Sequence, residues 1–371
     1  MNRTLPKQMT AAVLMGHGGF DKLVIRDDWP VPEPKAGEVL IRVAACGMNN
    51  TDINTRIGWY DDSVPGETTA GGSTGFDSVS DESVAGWGGA LQFPRIQGAD
   101  TVGYVVAVGE GVSDEWLDAR VMGDSWLRDW NEPMNRDKSG YVGSECDGGF
   151  AQYVALPVTN VGRIECDWSD VELATLNCAY TTAENMLTRA RVTAGERVLV
   201  TGASGGVGSA LIQLAKRRGA TVIALTTASK AEQILALGAD GVIRRGVDEW
   251  TDVIRATIGT DKVDVTADVV GGPVFAQLLS VMGRGARYVT AGAIGGKKVE
   301  VDISHLYLND WELIGSTVTT TDIFPNVIRY VEQGEIRPIV AQTYPLSEIH
   351  QAQKDFLAKK HVGKLVLVPP Q

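Results

Sequence analysis

The sequence predicts an α/β protein in which a doubly wound parallel sheet is joined to a mainly β domain. Three observations predict it. From about Asp170 the chain alternates β-branched apolar runs with stretches of helical spacing, the order that builds a parallel sheet. Up to about Glu165 it shows short β-rich runs broken by Gly and Pro instead. At 371 residues it also exceeds what one hydrophobic core usually serves, so two domains are expected.

In the first half, M-T-A-A-V-L-M, K-L-V-I-R-D, V-L-I-R-V-A-A (Val39 to Ala45), G-Y-V-V-A-V-G and F-A-Q-Y-V-A-L read as strands. Between them, Tyr60 to Gln92 is Gly, Ser, Thr and Asp with few aliphatics, and reads as one long loop. Loops of that length in compact domains are usually functional or disordered. In the second half E-R-V-L-V (Glu196 to Val200) is a strand, Val207 to Arg218 has helical spacing, and Gly219 ends that helix. The strands T-V-I-A-L, G-V-I-R-R, V-D-V-T-A-D-V-V and A-R-Y-V-T-A-G follow. Helices around K-A-E-Q-I-L-A-L, E-W-T-D-V-I-R-A-T-I and P-V-F-A-Q-L-L-S-V-M separate them.

The first strand-to-helix turn of that half is T-G-A-S-G-G-V-G, Thr201 to Gly208. Gly202, Gly205 and Gly208 fall at G-x-x-G-x-x-G spacing, with Gly206 inside. Glycine has no Cβ to hold a phosphate away, so backbone N–H groups and the positive helix end can meet a pyrophosphate. A strand before it, a helix after it and further alternating units behind it favour a dinucleotide site over a bare Gly-rich turn. Gly202, Ser204, Gly205, Gly206 and Val207 are the candidate contacts. An NAD site expects Asp or Glu at the end of the second strand to accept from the ribose 2′-OH. This chain reads T-V-I-A-L-T-T-A-S-K there, with no acid before Glu232. Ser229 and Lys230 suit a 2′-phosphate, with Arg244 or Arg245 after the next strand as further candidates, so NADPH is expected over NADH. The competing reading makes Lys230 a solvated first-turn residue.

Composition narrows the partners. The formal net charge of −12 repels phosphate backbones and anionic membranes, so no nucleic-acid partner is expected. The N-terminal apolar run is too short for a signal sequence, and no stretch approaches the roughly 20 apolar residues that span a bilayer. Cys46, Cys146, Cys166 and Cys178 are widely spaced in a chain large enough to fold without staples. Reduced thiols and a cytoplasmic location are expected.

Several ordered motifs, C-G-M-N-N-T-D-I-N-T-R-I-G-W-Y, G-A-D-T-V-G-Y-V-V-A-V-G-E-G-V, D-G-G-F-A-Q-Y-V, T-T-A-E-N-M-L and E-R-V-L-V-T-G-A-S-G-G-V-G, carry a resemblance. Together they resemble the medium-chain dehydrogenase/reductase superfamily, and within it the zinc-free quinone oxidoreductase branch. The similarity runs over nearly the whole chain, to the closing G-K-L-V-L-V-P. The Tyr60 to Gln92 loop, longer than the usual connection, is the chief departure. The resemblance implies a GroES-like catalytic β domain from 1–165 and 325–371, a Rossmann domain over 166–324, and a nicotinamide in the cleft.

In zinc-dependent members of that superfamily the first ligand falls at Asn49 here, the second at Ala99 of G-A-D, and the third at Cys178. A catalytic zinc needs three protein ligands. Only Cys178 keeps a ligand type, and His17, His305, His350 and His361 match none of the positions. The segment 124–149 offers only Cys146 to a structural zinc. No zinc is expected, and Cys46 reads as a small core residue.

The resemblance places Asn49 and Asp52 beside the nicotinamide, followed by Arg56 and Tyr60 in an R-x-G-x-Y pattern. Asn49 would donate to a substrate carbonyl, and Tyr60 or water would deliver a proton. Asp52 and Arg56 would form an ion pair that shapes the cleft. The alternative ties Asn49 and Asp52 into their own loop by local backbone bonds. T-T-A-E fits a capping box, with Thr181 capping a helix and Glu184 returning the bond. Cys178, Tyr180 and Thr182 are candidates to line the nicotinamide pocket, while Asp268 and Ala291 to Ala293 stand where the family holds the nicotinamide ribose and amide.

The expected activity is hydride transfer from NADPH to a quinone or to the C=C of an α,β-unsaturated carbonyl compound. The alternatives are an alcohol/aldehyde or ketone dehydrogenase, and a dinucleotide-binding protein without turnover. A homodimer is the family expectation, with W-E-L-I-G-S-T-V (Trp311 to Val318) as a candidate pairing strand.

Overall fold

A computed structural model describes residues 5–64, 66–83 and 86–371. The first four residues of the N-terminal run, and positions 65, 84 and 85 of the expected loop, lie outside the described residues. Strands of the first half are β1 (Gln8–Leu14), β2 (Leu23–Pro30), β3 (Glu38–Gly47), β4 (Arg95–Ile96), β5 (Asp100–Val108) and β6 (Arg120–Gly123). They continue with β7 (Trp126–Leu127), β8 (Gly140–Tyr141), β9 (Tyr153–Pro157) and β10 (Val161–Arg163). The second half supplies β11 (Arg197–Val200), β12 (Thr221–Thr226), β13 (Gly241–Arg244), β14 (Val263–Asp268), β15 (Met282–Thr290) and β16 (Glu312–Gly315). The chain closes with β17 (Val340–Pro345) and β18 (Lys364–Val368).

Among the described residues, β11 to β16 form one parallel sheet in the order β13-β12-β11-β14-β15-β16. That order reverses between β11 and β14, and the crevice at such a switch point is where doubly wound sheets bind ligands. Central strands buried on both faces read as continuous apolar runs: Val198, Leu199, Val200, Val222, Ile223 and Ala224 are all fully buried. Helices Asn177–Arg189 and Gly206–Arg217 pack together beside them.

The other large sheet runs β10-β6-β5-β3-β18-β17, with β9 also paired to β3. Its core gathers Val39, Ile41, Val43, Val105, Phe150 and Leu367. Cys46 is fully buried there, and burial among carboxylates pushes its thiol well above the usual range. The return of β18 sets up the site. It pairs antiparallel with β3 at Val366↔Gly47, while β5 pairs with β3 from the other side at Asp100↔Gly47. Residues just beyond the end of β3 therefore meet the start of β5 and the start of β18.

Three local expectations are overturned. Thr181 and Glu184 do not open a helix; they lie inside Asn177–Arg189. The Thr181 hydroxyl donates back to Asn177 O at 2.7 Å, and Glu184 pairs with Arg218 at 2.7 Å. Buried Leu176, Ala179, Tyr180 and Ala183 pull the start of the helix back by one turn, and packing outweighs a cap motif. Arg56 does not pair with Asp52. Fully buried, it donates to Gly18 O at 2.7 Å, Gly72 O at 2.6 Å and Gln353 Oε1 at 3.0 Å, tying three segments together. The Tyr60 to Gln92 segment is not all loop either, since Thr68–Gly71 makes a short helical turn.

Aromatics within and just outside that segment pack it down. Trp59 is buried and donates to Gly66 O at 3.0 Å, and Phe76 sits against Gly71. Phe93 meets His17 edge to face, its centroid 4.8 Å away. Trp87 differs, because it reaches across to Trp126 and Tyr141.

Candidate active site

The end of β3 carries Asn49 and the helix Asn50–Arg56. The Asn49 N–H donates to Asp52 Oδ2 at 2.7 Å, which is the reciprocal half of a cap and the local tie that Asp and Asn favour. The Asn49 side chain points the other way. Its Nδ2 donates to Asp100 Oδ2 at 3.0 Å, and its Oδ1 accepts from Lys364 Nζ at 2.5 Å. Both ends of the amide are engaged, so Asn49 is not the free donor to a substrate carbonyl that its position led us to expect. Asp100 is completed by Lys364 Nζ at 2.5 Å and by the Cys178 N–H, which donates to Oδ1 at 2.7 Å.

Lys364 thus bridges a buried amide and a buried carboxylate. It was not a candidate from sequence, because 315 residues separate it from Asn49. Asp100 stands beside Ala99, and an acid opening one strand with a lysine opening another is the signal that the sequence holds for it.

Electrostatics separate the acids and phenols around this point. Burial pushes the Asp52 carboxyl up to about 7, against the pull of the Asn49 N–H. Burial, with hydrogen bonds from Thr51 and Asn54 opposing it, raises the Tyr60 phenol, so it stays protonated at neutral pH. The Cys178 thiol is pushed up to about 12, chiefly by burial and then by Asp100. Its Sγ accepts a hydrogen bond from Tyr141 Oη at 3.1 Å. Thr182 lies one turn beyond Cys178 on the same helix face.

The glycine turn abuts this cluster. Gly202 adopts φ +55°, and Gly208 packs so closely that an added Cβ would lie 2.2 Å from Gly202 O. Gly205 precedes helix Gly206–Arg217, which has no side-chain cap, leaving its first amides to an anion. A Cβ on Gly206 would lie 2.6 Å from Lys364 Cδ and 3.2 Å from Ala179 Cβ, so the turn, Lys364 and the helix bearing Cys178 are in contact. Ser204 Oγ accepts from Lys230 Nζ at 3.0 Å, and Lys230 also donates to Lys359 O at 2.7 Å. Lys230 is only 8% exposed, so it is not a solvated first-turn residue. Arg244 is held by Asp248 at 2.6 Å, whereas exposed Arg245 lies near enough to Lys230 to depress its pKa, after burial. Exposed Ser229 lies 3.3 Å from Thr227 Oγ1.

Asp268 is fully buried and internally satisfied. It accepts from Thr201 Oγ1, from the amides of Val270 at 2.9 Å and Gly271 at 3.0 Å, and from Tyr288 Oη at 2.5 Å. Its carboxylate therefore braces the β14 end, and the 292–296 turn after Ala291 laces onto it through Gly295 N to Val270 O at 2.8 Å. Ala293 closes that turn by accepting from Gly296 N at 2.9 Å.

A dinucleotide-type sheet joined to a mainly β domain, with an acid–amide–amine cluster beside the glycine turn, defines an oxidoreductase architecture. Comparison with known proteins agrees. Residues 35–165 match the alcohol dehydrogenase GroES-like domain family, and residues 206–333 match the zinc-binding dehydrogenase family. A solved structure of a candidate alcohol dehydrogenase from Sinorhizobium meliloti shares 47% identity over 99% of this chain and 98% of its own, with a TM-score of 0.88. An acryloyl-coenzyme A reductase of Metallosphaera sedula is 27% identical over 97% of this chain and 99% of its own length. A quinone oxidoreductase of Rattus norvegicus is 27% identical over 98% of each. The chain belongs to the medium-chain dehydrogenase/reductase superfamily of oxidoreductases.

Zinc, which the second family description implies, does not fit the residues present. Ala99 has no side-chain ligand atom, Asn49 is held by Lys364, and an ammonium stands between the two oxygen groups that would face a cation. Among the described residues no group of three or more His, Cys, Asp or Glu gathers as a metal site requires, and no helix is long and apolar enough to cross a membrane.

Proposed function

We propose that the protein is a zinc-independent, NADPH-dependent reductase that transfers hydride to a quinone or to the C=C of an α,β-unsaturated carbonyl compound. The observation that carries this reading is Lys364 bonded to both Asn49 and Asp100 beside the glycine turn, a site that supplies fixed hydrogen-bonding charge in place of a Lewis acid. The turn fits a dinucleotide: Gly205 and Gly206 leave space at an uncapped helix start, and Gly208 closes the turn onto Gly202. Ser204, Lys230 and Arg245 would receive a 2′-phosphate, which favours NADPH. When bound, the reduced nicotinamide supplies the hydride.

The chain's own residues would do the rest. Cys178 and Thr182 line one wall, and the Asp268-braced loop carries Ala291 and Ala293 on the other. Tyr60, kept protonated by burial, is the proposed donor to the α-carbon once hydride has reached the β-carbon. Asn49 orients Lys364 and Asp100 rather than touching the acceptor, while Asp52 holds Asn49. A homodimer would pair through the outer strand β16, where Leu313 is 42% exposed.

NADPH oxidation by chelator-treated protein, with a simple quinone and a small enone as acceptors and NADH alongside, tests the reading. Turnover that survives chelation and prefers NADPH supports it. The Sinorhizobium meliloti relative favours a second reading, alcohol–carbonyl interconversion. NADP+ reduction by alcohols, restored by zinc after chelation, would move the assignment there.

A further inference from the structure

We infer that Trp87, backed by the buried rings of Trp126 and Tyr141, forms the acceptor-binding wall of this site, and that it selects a flat, uncharged, ring-bearing acceptor over an acyl thioester carried on a nucleotide polyanion. The inference rests on the reductase reading above and names the substrate class of that same site.

Ala179 packs against the would-be Cβ of Gly206, so the start of helix Asn177–Arg189 touches the dinucleotide turn. The preceding residue, Cys178, meets Tyr141 Oη at 3.1 Å. Two consecutive helix residues thus link the turn to the rings. From Tyr141 the stack runs outward: Trp126 at 4.9 Å between centroids, Trp87 at 5.0 Å from Trp126 and 5.9 Å from Tyr141, then Tyr60 at 6.0 Å from Trp87.

The stack is held in place by a single carboxylate. Glu145 Oε1 accepts from the amides of Trp87 at 2.8 Å and Gly88 at 2.9 Å, while Oε2 accepts from the Tyr141 amide at 2.7 Å. Both rings are therefore fixed relative to each other through their backbones, although they come from segments far apart in sequence. Trp126 and Tyr141 are each 5% exposed, but Trp87 is 41% exposed. Two inner rings are spent on packing, and the outer one presents indole surface that an aromatic ligand can cover. Offset or edge contacts between rings contribute about 0.5–1.5 kcal/mol beyond burial, which small aliphatic acceptors cannot collect.

Charge sets the second half of the selection. Residues 60–92 carry six acids, Asp61, Asp62, Glu67, Asp77, Asp81 and Glu82, and no Lys, Arg or His. Lys297, which approaches from the opposite domain, is engaged with Asp61 O at 2.9 Å and lies 4.5 Å over the Trp59 ring. Lys297 keeps its charge against that carbonyl and Lys298 adjoins it, so two cations offset only part of the six carboxylates; a phosphate-bearing carrier entering past this segment meets net repulsion, whereas a neutral acceptor does not.

The test compares kcat/KM for benzylideneacetone, methyl vinyl ketone and crotonyl-coenzyme A with NADPH, in the wild-type protein and in Trp87→Ala and Trp87→Phe. NADPH affinity of each is measured by fluorescence titration. Wild type is expected to prefer benzylideneacetone over crotonyl-coenzyme A by about tenfold or more. Trp87→Ala should lower the benzylideneacetone to methyl vinyl ketone ratio by about fivefold, and Trp87→Phe should restore most of it. A wild-type preference for crotonyl-coenzyme A overturns the inference, as does an unchanged ratio in a Trp87→Ala protein that still binds NADPH. Failure of the reductase reading itself looks different: NADPH binds, neither the three acceptors nor a simple quinone is reduced, and this inference goes with it.

Discussion

Lys364 Nζ lies 2.5 Å from Asp100 Oδ2, with the two side chains only 5% and 0% exposed. The pair joins the first residue of β18 to the first residue of β5 across β3, and Asn49 closes the triangle. Losing one member of a buried pair leaves the other charge uncompensated, which costs far more than the pair itself contributes.

Lys364→Met is therefore expected to lower unfolding free energy by about 3–5 kcal/mol. Urea denaturation measures it. Adding Asp100→Asn should recover part of the loss, because the stranded carboxylate is then gone; strictly additive losses would show that the two residues do not act as a pair.

Asp52 sets a pH dependence. Burial raises its pKa to about 7 in the folded protein, while an unfolded Asp titrates near 3.9, so between those values the folded state holds a proton that the unfolded chain has released. The contribution is full below about pH 4, declines as pH rises, and levels off above about 7. Asp124, raised by burial to about 6, acts in the same direction in any variant. Asp52→Asn keeps an acceptor for the Asn49 N–H and removes the titration. Its stability relative to wild type should rise between about pH 4 and pH 7, as read by denaturation at several pH values. A constant difference across that range would rule the effect out.

The glycine turn separates binding from folding. A Cβ at Gly208 would lie 2.2 Å from Gly202 O, a backbone atom with nowhere to go, so Gly208→Ala should give protein that is insoluble or destabilised by about 3 kcal/mol or more. A Cβ at Gly205 meets only Gly202 O, at 3.5 Å. Gly205→Ala is expected to fold with unchanged thermal stability yet bind NADPH at least about tenfold more weakly, since the new methyl enters the space before the helix start. Thermal melts and fluorescence titration distinguish the two.

Lys359 is expected to make dinucleotide affinity pH-dependent. Burial and the Lys230 charge lower its pKa to about 7, and its Nζ donates to Asn50 Oδ1 at 2.9 Å. In the free protein it loses its proton as pH rises through about 7, and a bound phosphate favours the charged form. NADPH affinity should then weaken from about pH 6.5 to pH 9, with proton uptake on binding at the upper end. Calorimetry in buffers of different ionisation enthalpy reads that uptake. Lys359→Met should bind with a flatter profile.

The fold was legible because its signals are local. β11, β12 and β14 lie within one or a few residues of the apolar runs that mark them, since burial on both faces demands a nearly continuous apolar sequence over four to six residues. The glycine turn was legible for the same reason, its spacing being a property of eight consecutive residues. T-T-A-E shows the limit of local reading: the motif is genuine as a pattern, but the apolar side chains around Tyr180 place the helix start one turn earlier.

By itself, then, the sequence determined the parallel sheet, its glycine turn and the superfamily, because periodicity and glycine spacing act over distances shorter than one element. Only the tertiary structure decided what surrounds Asn49, which groups Arg56 bonds, and that Glu145 holds Trp87 to Tyr141. Those contacts join segments tens to hundreds of residues apart. They depend on the register of β18 and β5 against β3 and on the path of the 60–92 segment, and that register is chosen by the burial of whole strands rather than by the residues that form the site.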